Sequence, residues 1–165
     1  MIARARGPPL CPLDAWYTAR VTFPPPTAFM PHRPPMLLVD RLLAHDVEHV
    51  TIEKTFRAGE LFVDGDAVSG FVVVELFAQA AAAHFGYAGL VAGGAFASGA
   101  LLGTRKIDLA VPRLPIERRL EVRARQVFAM PPAAQYDCTL LDVTDGETVL
   151  ATGTINVAMG PPPPT

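Results

Sequence analysis

Two polar side chains, Glu75 and Gln79, interrupt a long apolar segment that runs from Ser69 to Tyr87. They are four residues apart, so a helix would place both on one side. An ionised carboxylate in apolar surroundings is costly unless it is paired or has a function. Burial disfavours the charged form of a carboxylic acid and so prepares such a group to donate a proton. The segment therefore predicts an acid catalyst at Glu75.

The surrounding pattern predicts the elements that position this helix. Ser69 is the expected N-cap, and Gly86 or Gly89 is the expected end. Alternation of apolar and polar residues predicts a strand over residues 47–56, and the last third of the chain is typical of strands. Those later strands are expected at residues 100–111, 118–128, 135–143 and 148–158, with a hairpin turn at Asp145-Gly146.

The order of these elements predicts the fold. A helix that is apolar on nearly every face must be covered on most sides. A curved antiparallel sheet wrapped around a long central helix provides that cover, an arrangement called the hotdog fold. We therefore predict an α+β domain of this kind. It is expected to pair with another subunit by joining sheets edge to edge, because free strand edges invite aggregation.

Composition limits the class of protein. The chain has 165 residues, of which 50% are apolar and 18% are charged, which suits one globular domain with a hydrophobic core. The formal net charge of -2, without a basic stripe, argues against a nucleic-acid partner. No apolar stretch reaches the ~18 uninterrupted residues of a membrane helix. Two cysteines, Cys11 and Cys138, do not suggest a disulfide framework, so we expect a cytoplasmic location.

Proline marks both ends of the chain. Residues 1–29 are predicted to be a proline-rich N-terminal arm, residues 30–159 the folded domain, and residues 160–165 a proline-rich tail. Within the domain, no pair of histidines or cysteines has the spacing of metal ligands, and no glycine-rich loop has the spacing of a nucleotide site. We therefore expect neither a metal nor a bound cofactor.

Three motifs together identify a family resemblance. Residues 31–41 read Pro-His-Arg-Pro-Pro-Met-Leu-Leu-Val-Asp-Arg, residues 75–79 read Glu-Leu-Phe-Ala-Gln, and residues 101–106 read Leu-Leu-Gly-Thr-Arg-Lys. The combination resembles the hotdog-fold 3-hydroxyacyl–acyl carrier protein dehydratases. The third motif looks closer to one branch, the dehydratase-like proteins of aryl polyene and similar polyketide pigment clusters. The resemblance covers residues 23–158, most of the chain.

The resemblance implies a reaction and roles for particular residues. The reaction is dehydration of a 3-hydroxyacyl thioester to a trans-2-enoyl thioester, with the substrate delivered on the phosphopantetheine of an acyl carrier protein. Glu75 matches the helix carboxylate of the family. Backbone N–H groups of Gly70 and Phe71 would bind the thioester carbonyl, since a helix start offers free donors and partial positive charge. Gln79 would orient Glu75 or bind the substrate, and Arg33 would meet the phosphate of the arm.

One departure from the family is serious. The dehydratases carry a catalytic histidine shortly before the helix, and an ungapped match from Glu75 places that position on Leu61. No histidine occurs between His49 and His84.

Three interpretations remain open for the missing base. In the first, His32 takes over as the base. In the second, the sites form at a subunit interface, as they do in the family, and a partner subunit supplies its own histidine to Glu75. The chain would then form a hetero-dimer rather than a homodimer. In the third, the chain is a non-catalytic subunit, and a thioesterase on the same fold is a further alternative.

Overall fold

The structure is a computed structural model that describes residues 22–94 and 98–160. In these residues a 3-10 helix at Pro26–Ala28 precedes one α-helix and nine β-strands. The helix is α1 (Val72–Val91), and the strands are β1 (Arg41–His45), β2 (His49–Lys54), β3 (Val63–Asp64), β4 (Ala67–Ser69), β5 (Ser98–Leu109), β6 (Arg113–Pro115), β7 (Leu120–Met130), β8 (Ala133–Asp142) and β9 (Thr148–Gly160).

Antiparallel pairing joins six of the strands into one sheet. Their order is β1-β2-β7-β8-β9-β5, and β3, β4 and β6 form a separate small sheet. The helix packs against the strands of the large sheet. This confirms the predicted α+β arrangement and the predicted strands at β2, β5, β7, β8 and β9. The strands of the small sheet are two or three residues long, too short for a periodic pattern to indicate them.

The alternation within the strands places the core on one face of the large sheet. In β7, Leu120 and Val122 are almost fully buried against the helix. Arg123, the next residue along the same strand, lies on the opposite face. Lys54 in β2 also points inward and is almost fully buried. Its ammonium group is 2.7 Å from a carboxylate oxygen of Glu60, so the buried charge is paired.

The ends of the helix differ from the prediction, which was wrong on both. The N-cap is Phe71 rather than Ser69, whose hydroxyl oxygen accepts only a long hydrogen bond of 3.4 Å from the Phe71 N–H. The helix continues past Gly86 and Gly89 to Val91. Gly86 serves packing instead, because a Cβ atom there would overlap the backbone carbonyl of Phe29.

The segment before β1 covers a second side of the helix. Phe29 and Met30 are fully buried, and the ring of Phe23 packs edge-on against Tyr87 at 5.1 Å between centroids. The last residues of the predicted N-terminal arm therefore pack against the domain. Residues 1–21 with Cys11, and residues 161–165 of the predicted tail, lie outside the described residues, so the division into arm, domain and tail stays a prediction. Among the described residues, no helix is both long and apolar enough to cross a membrane.

A buried polar chain fixes the C-terminal half of the helix to the sheet. His84 Nε2 donates to the backbone oxygen of Asp46 at 2.9 Å, so its Nδ1 accepts from the hydroxyl of Tyr136 at 2.6 Å. That hydroxyl in turn accepts from Gln126 Nε2 at 3.1 Å. Burial is the main cause that lowers the pKa of His84 from its usual value, which favours the neutral ring that this pattern requires.

Replacing Tyr136 by Phe tests the strength of this chain. The substitution leaves His84 Nδ1 and Gln126 Nε2 without their partner, and leaving a buried polar group unpaired costs about 1–3 kcal/mol. We expect the free energy of unfolding, measured by urea denaturation, to fall by that amount. Tyr87→Phe is the matched control, because the Tyr87 hydroxyl has no hydrogen bond among the described residues, and its effect is expected to stay within about 0.5 kcal/mol.

Candidate active site

Glu75 lies in the first turn of α1 and is partly buried. One of its carboxylate oxygens accepts a hydrogen bond of 2.8 Å from Gln79 Nε2. The four-residue spacing thus brings the two side chains together as the helical pattern predicted. Glu75 forms no ion pair with any described lysine, arginine or histidine, so its second oxygen is available to another group.

The amide of Gln79 is completely buried and bonds in two further directions. Its oxygen accepts from the backbone N–H of Leu38 at 2.8 Å, and Nε2 donates to the backbone oxygen of Met36 at 2.7 Å. Both hydrogens of the amide nitrogen are therefore used, one by Met36 and one by Glu75. This geometry favours the expected orienting role of Gln79 over direct binding of a substrate hydroxyl.

His32 is close enough to Glu75 to respond to its charge. Burial lowers the pKa of His32 from its usual value, the negative charge of Glu75 acts in the opposite direction, and Arg33 adds a smaller lowering. The net lowering favours a neutral ring at pH 7. Its Nδ1 is buried and has no hydrogen-bond partner in the described part of the chain. The charge of Glu75 therefore acts on His32, although the two residues are far apart in sequence.

Arg33 folds back onto its own loop. Its Nη1 donates to the backbone oxygens of Met30 and His32, at 2.7 Å each. These bonds fix the turn that carries His32. The residue is exposed, so the rest of the guanidinium group faces solvent at the edge of the site.

The helix start offers fewer free donors than predicted. The Gly70 N–H donates to the backbone oxygen of Pro112 at 3.0 Å, so this donor is occupied within the chain. The Phe71 N–H has only the long contact with Ser69 described above. Of the two donors predicted for a thioester carbonyl, Phe71 is the one that the structure leaves accessible, and its side chain is largely exposed beside it.

The position expected for the catalytic histidine lies in the loop between β2 and β3. Leu61 is partly exposed there, and Phe62 next to it has a left-handed backbone, with φ 72°. Leu61 lines a cavity of about 810 Å³, and a second hollow of about 580 Å³ lies on the outer face of the sheet. Neither includes Glu75 or His32. Neither of these two cavities therefore provides space for an acyl chain beside Glu75.

Sequence reasoning missed the backbone partners of the site. The Met36 oxygen, the Leu38 N–H and the Pro112 oxygen each bind a site residue. The sequence signal for these partners was the motif at residues 31–41, which contains Met36 and Leu38 and which the family combines with Glu75 and Gln79. Among residues 22–94 and 98–160, no cluster of histidine, cysteine and acidic side chains has the arrangement of a metal site.

The fold and the site define a class, a hotdog domain whose central helix carries a carboxylate at its start. The structure is similar to the dehydratase heterocomplex ApeI:P from Xenorhabdus doucetiae, with a TM-score of 0.77 and 24% identity over 85% of this chain and 93% of that chain. A family model described as ApeP-like, ApeP dehydratase, matches residues 24–163. The chain therefore belongs to the ApeP-like dehydratase family, as the sequence motifs predicted.

More distant structures share the fold alone. The virulence protein Cj0977 from Campylobacter jejuni has a TM-score of 0.61 at 14% identity, over 81% of this chain and 87% of its own. Zebra fish thioesterase superfamily member 2 has a TM-score of 0.58 at 16% identity, over 81% and 90%. A comparison with curated protein sequences gave no match.

Replacing Gln79 by Leu tests the anchoring of the site. The substitution keeps the approximate volume but removes the bond to Met36, a partly exposed residue, and leaves the Leu38 N–H buried without a partner, at a cost of about 1–3 kcal/mol. We expect that loss in the free energy of unfolding measured by urea denaturation. Gln135→Leu is the matched control, because within the described part of the chain the side chain of Gln135 bonds only to Asn156 on the sheet. An equal loss in both variants would contradict the anchoring role.

Proposed function

We propose that this chain supplies Glu75 as the acid in the dehydration of 3-hydroxyacyl thioesters carried on an acyl carrier protein, in fatty acid or polyketide biosynthesis. Elimination transfers the α-proton to a base, breaks the C–O bond at the β-carbon, and moves a proton from Glu75 to the departing hydroxyl, which leaves as water. The observation that carries the proposal is the hydrogen bond from Gln79, which holds one oxygen of Glu75 and leaves the other for the substrate hydroxyl.

The helix start supports the same reaction. Negative charge develops on the thioester oxygen as the α-proton leaves, and donors placed at that oxygen stabilise it. The Phe71 N–H lies one helical turn before Glu75 and is the donor best placed for this role. Arg33, whose guanidinium group is partly free at the edge of the site, would meet the phosphate of the carrier's phosphopantetheine arm. This arm is part of the substrate, and the reaction requires no other cofactor.

The base, we propose, comes from a partner subunit. Leu61 stands where the family's histidine is expected, and neither cavity of the single chain reaches Glu75. Strand β5 is an edge of the large sheet, and Leu101 and Leu102 on it are exposed. A histidine-bearing hotdog subunit that adds its own edge strand here would bury these leucines and complete the site. The similar structure described above is itself a complex of two different dehydratase chains.

His32 is the alternative base. Burial lowers its pKa and so favours a neutral ring, the charge of Glu75 acts on it, and its buried Nδ1 has no partner in the described part of the chain. With His32 as base, the chain would need no partner histidine and a homodimer would be active. The two alternatives predict different activities for the pure chain. It is active if His32 is the base and inactive if the base comes from a partner subunit.

Replacing Glu75 by Gln tests the acid role. Gln is nearly isosteric but cannot donate a carboxylic acid proton, and loss of a general acid typically lowers the rate by about 10²–10⁴-fold. We expect that loss in the formation of enoyl thioester from a 3-hydroxyacyl carrier-protein substrate, assayed in the presence of a histidine-bearing partner subunit and followed by mass spectrometry, with an unchanged circular dichroism spectrum. Glu48→Gln, on an exposed turn, is the control and should retain full activity. Full activity in the Glu75 variant would exclude the acid role.

Mixing experiments identify the base. We expect the pure chain to form no enoyl thioester, and addition of a histidine-bearing hotdog dehydratase subunit that is inactive or weak alone to produce activity. In that mixture, His32→Asn should change the rate by less than about tenfold, a small loss against the 10²–10⁴-fold typical of a removed base. Exposed His49→Asn is the control.

Other outcomes of the same assay select the competing functions. Activity of the pure chain that His32→Asn abolishes would make His32 the base. Release of free acid instead of a dehydrated thioester would indicate a thioesterase. Activity of the partner that this chain increases, but that is insensitive to Glu75→Gln, would indicate a non-catalytic subunit.

A further inference from the structure

A strap formed by residues 110–117 lies against the start of the catalytic helix. It follows the edge strand β5 and includes β6. Its first residue, Ala110, donates its N–H to the backbone oxygen of Leu150 at 2.9 Å, which fixes the strap to β9. Its last residue, Glu117, donates its N–H to the backbone oxygen of Phe56 at 2.8 Å. The strap is therefore held at one end to β9 of the large sheet and at the other end to the segment that follows β2.

Gly70 shows how closely the helix start is seated on this strap. A Cβ atom at Gly70 would lie 2.9 Å from the backbone oxygen of Pro112 and 3.1 Å from a side-chain carbon of Leu109. The Gly70 N–H bonds to the same Pro112 oxygen. A side chain at this position would push the helix start away from the strap, so the strap sets where the helix begins.

Arg113 links the strap to the hairpin that leads into the helix. Its Nη2 donates to the backbone oxygen of Asp64 at 2.5 Å and, more weakly, to that of Ala67 at 3.5 Å. Its Nη1 is 3.7 Å from the Asp64 carboxylate. Asp64 and Ala67 flank the turn between β3 and β4, so one guanidinium group binds the backbone on both sides of this turn.

The contact between Arg113 and Asp64 is exposed, so we expect it to affect the position of the hairpin more than the stability of the fold. The side chains of Arg113 and Asp64 are 49% and 91% exposed, and surface ion pairs contribute little to folding stability. The hairpin, however, runs directly through Ser69 and Gly70 into the helix turn that carries Glu75. Small displacements of catalytic groups reduce rates strongly, by about 10²-fold for a 1 Å misplacement.

We propose that Arg113 is a positioning residue for the dehydration, acting by fixing the β3–β4 hairpin and thereby the Phe71 N–H relative to the Glu75 carboxylate. The proposal rests on the proposed function and deepens it. Arg113 does not contact the substrate in this proposal. It fixes the backbone segment that leads into the helix start, which carries the Phe71 N–H and Glu75.

Arg113→Ala, Arg113→Lys and Arg125→Ala test this proposal, each in the active protein with its partner. We expect Arg113→Ala to lower kcat about 10–100-fold, with KM for the 3-hydroxyacyl carrier-protein substrate unchanged within about threefold and the thermal midpoint unchanged within about 2 °C. Lys can still donate to the Asp64 oxygen, so Arg113→Lys should recover part of kcat. Arg125, exposed on β7 without an ion pair in the described residues, is the control and should leave kcat unchanged.

Hydrogen exchange provides a readout that does not depend on activity. Backbone amides of residues 63–73 should exchange faster in Arg113→Ala than in the wild type or in Arg125→Ala. Wild-type kcat in Arg113→Ala, a change confined to KM, or unchanged exchange over residues 63–73 would each overturn the positioning role. An inactive wild type with faster exchange in the variant would instead refute the proposed function and leave the anchoring of the hairpin intact.

Discussion

The amide of Gln79 makes the three hydrogen bonds on which the site depends. One orients Glu75, and the other two bind the backbone of Met36 and Leu38, which belong to the loop that also carries His32. Because the amide and its partner Leu38 are both buried, loss of that bond leaves the Leu38 N–H without water to replace it. A single side chain thus couples the position of the helix that carries Glu75 to the position of the loop that carries His32.

Two glycines, one just before the helix and one in its C-terminal part, allow other backbone segments to contact the helix closely. Gly86 permits the backbone of Phe29 to approach the helix, and Gly70 permits the approach of Pro112. In close-packed interiors such contacts fix an element in translation as well as in rotation, because no space remains for it to slide. The apolar body of the helix provides most of the burial, whereas these two contacts decide where its first turn, and hence Glu75, lies.

In the proposed function, the chain supplies the acid but not the complete site. Glu75, its orienting amide and the Phe71 donor are in place, but the family's histidine position holds Leu61, and neither cavity reaches the carboxylate. An open edge at β5 with exposed Leu101 and Leu102 lies on the same chain. These features are consistent with a site that is finished by a second subunit, since apolar strand edges are commonly covered in the working assembly.

The sequence by itself determined the elements whose pattern is local. Alternation predicted β2 and the four late strands, the apolar run predicted α1, and the spacing of Glu75 and Gln79 predicted their contact, because helices and strands repeat over a few residues. Only the tertiary structure decided the true ends of the helix, since Gly86 is used for packing against Phe29 rather than as a stop. It alone bound the amide of Gln79 to Met36 and Leu38 and occupied the Gly70 N–H with Pro112. Those contacts join segments distant along the chain, and they depend on how the whole chain packs rather than on any pattern within a segment.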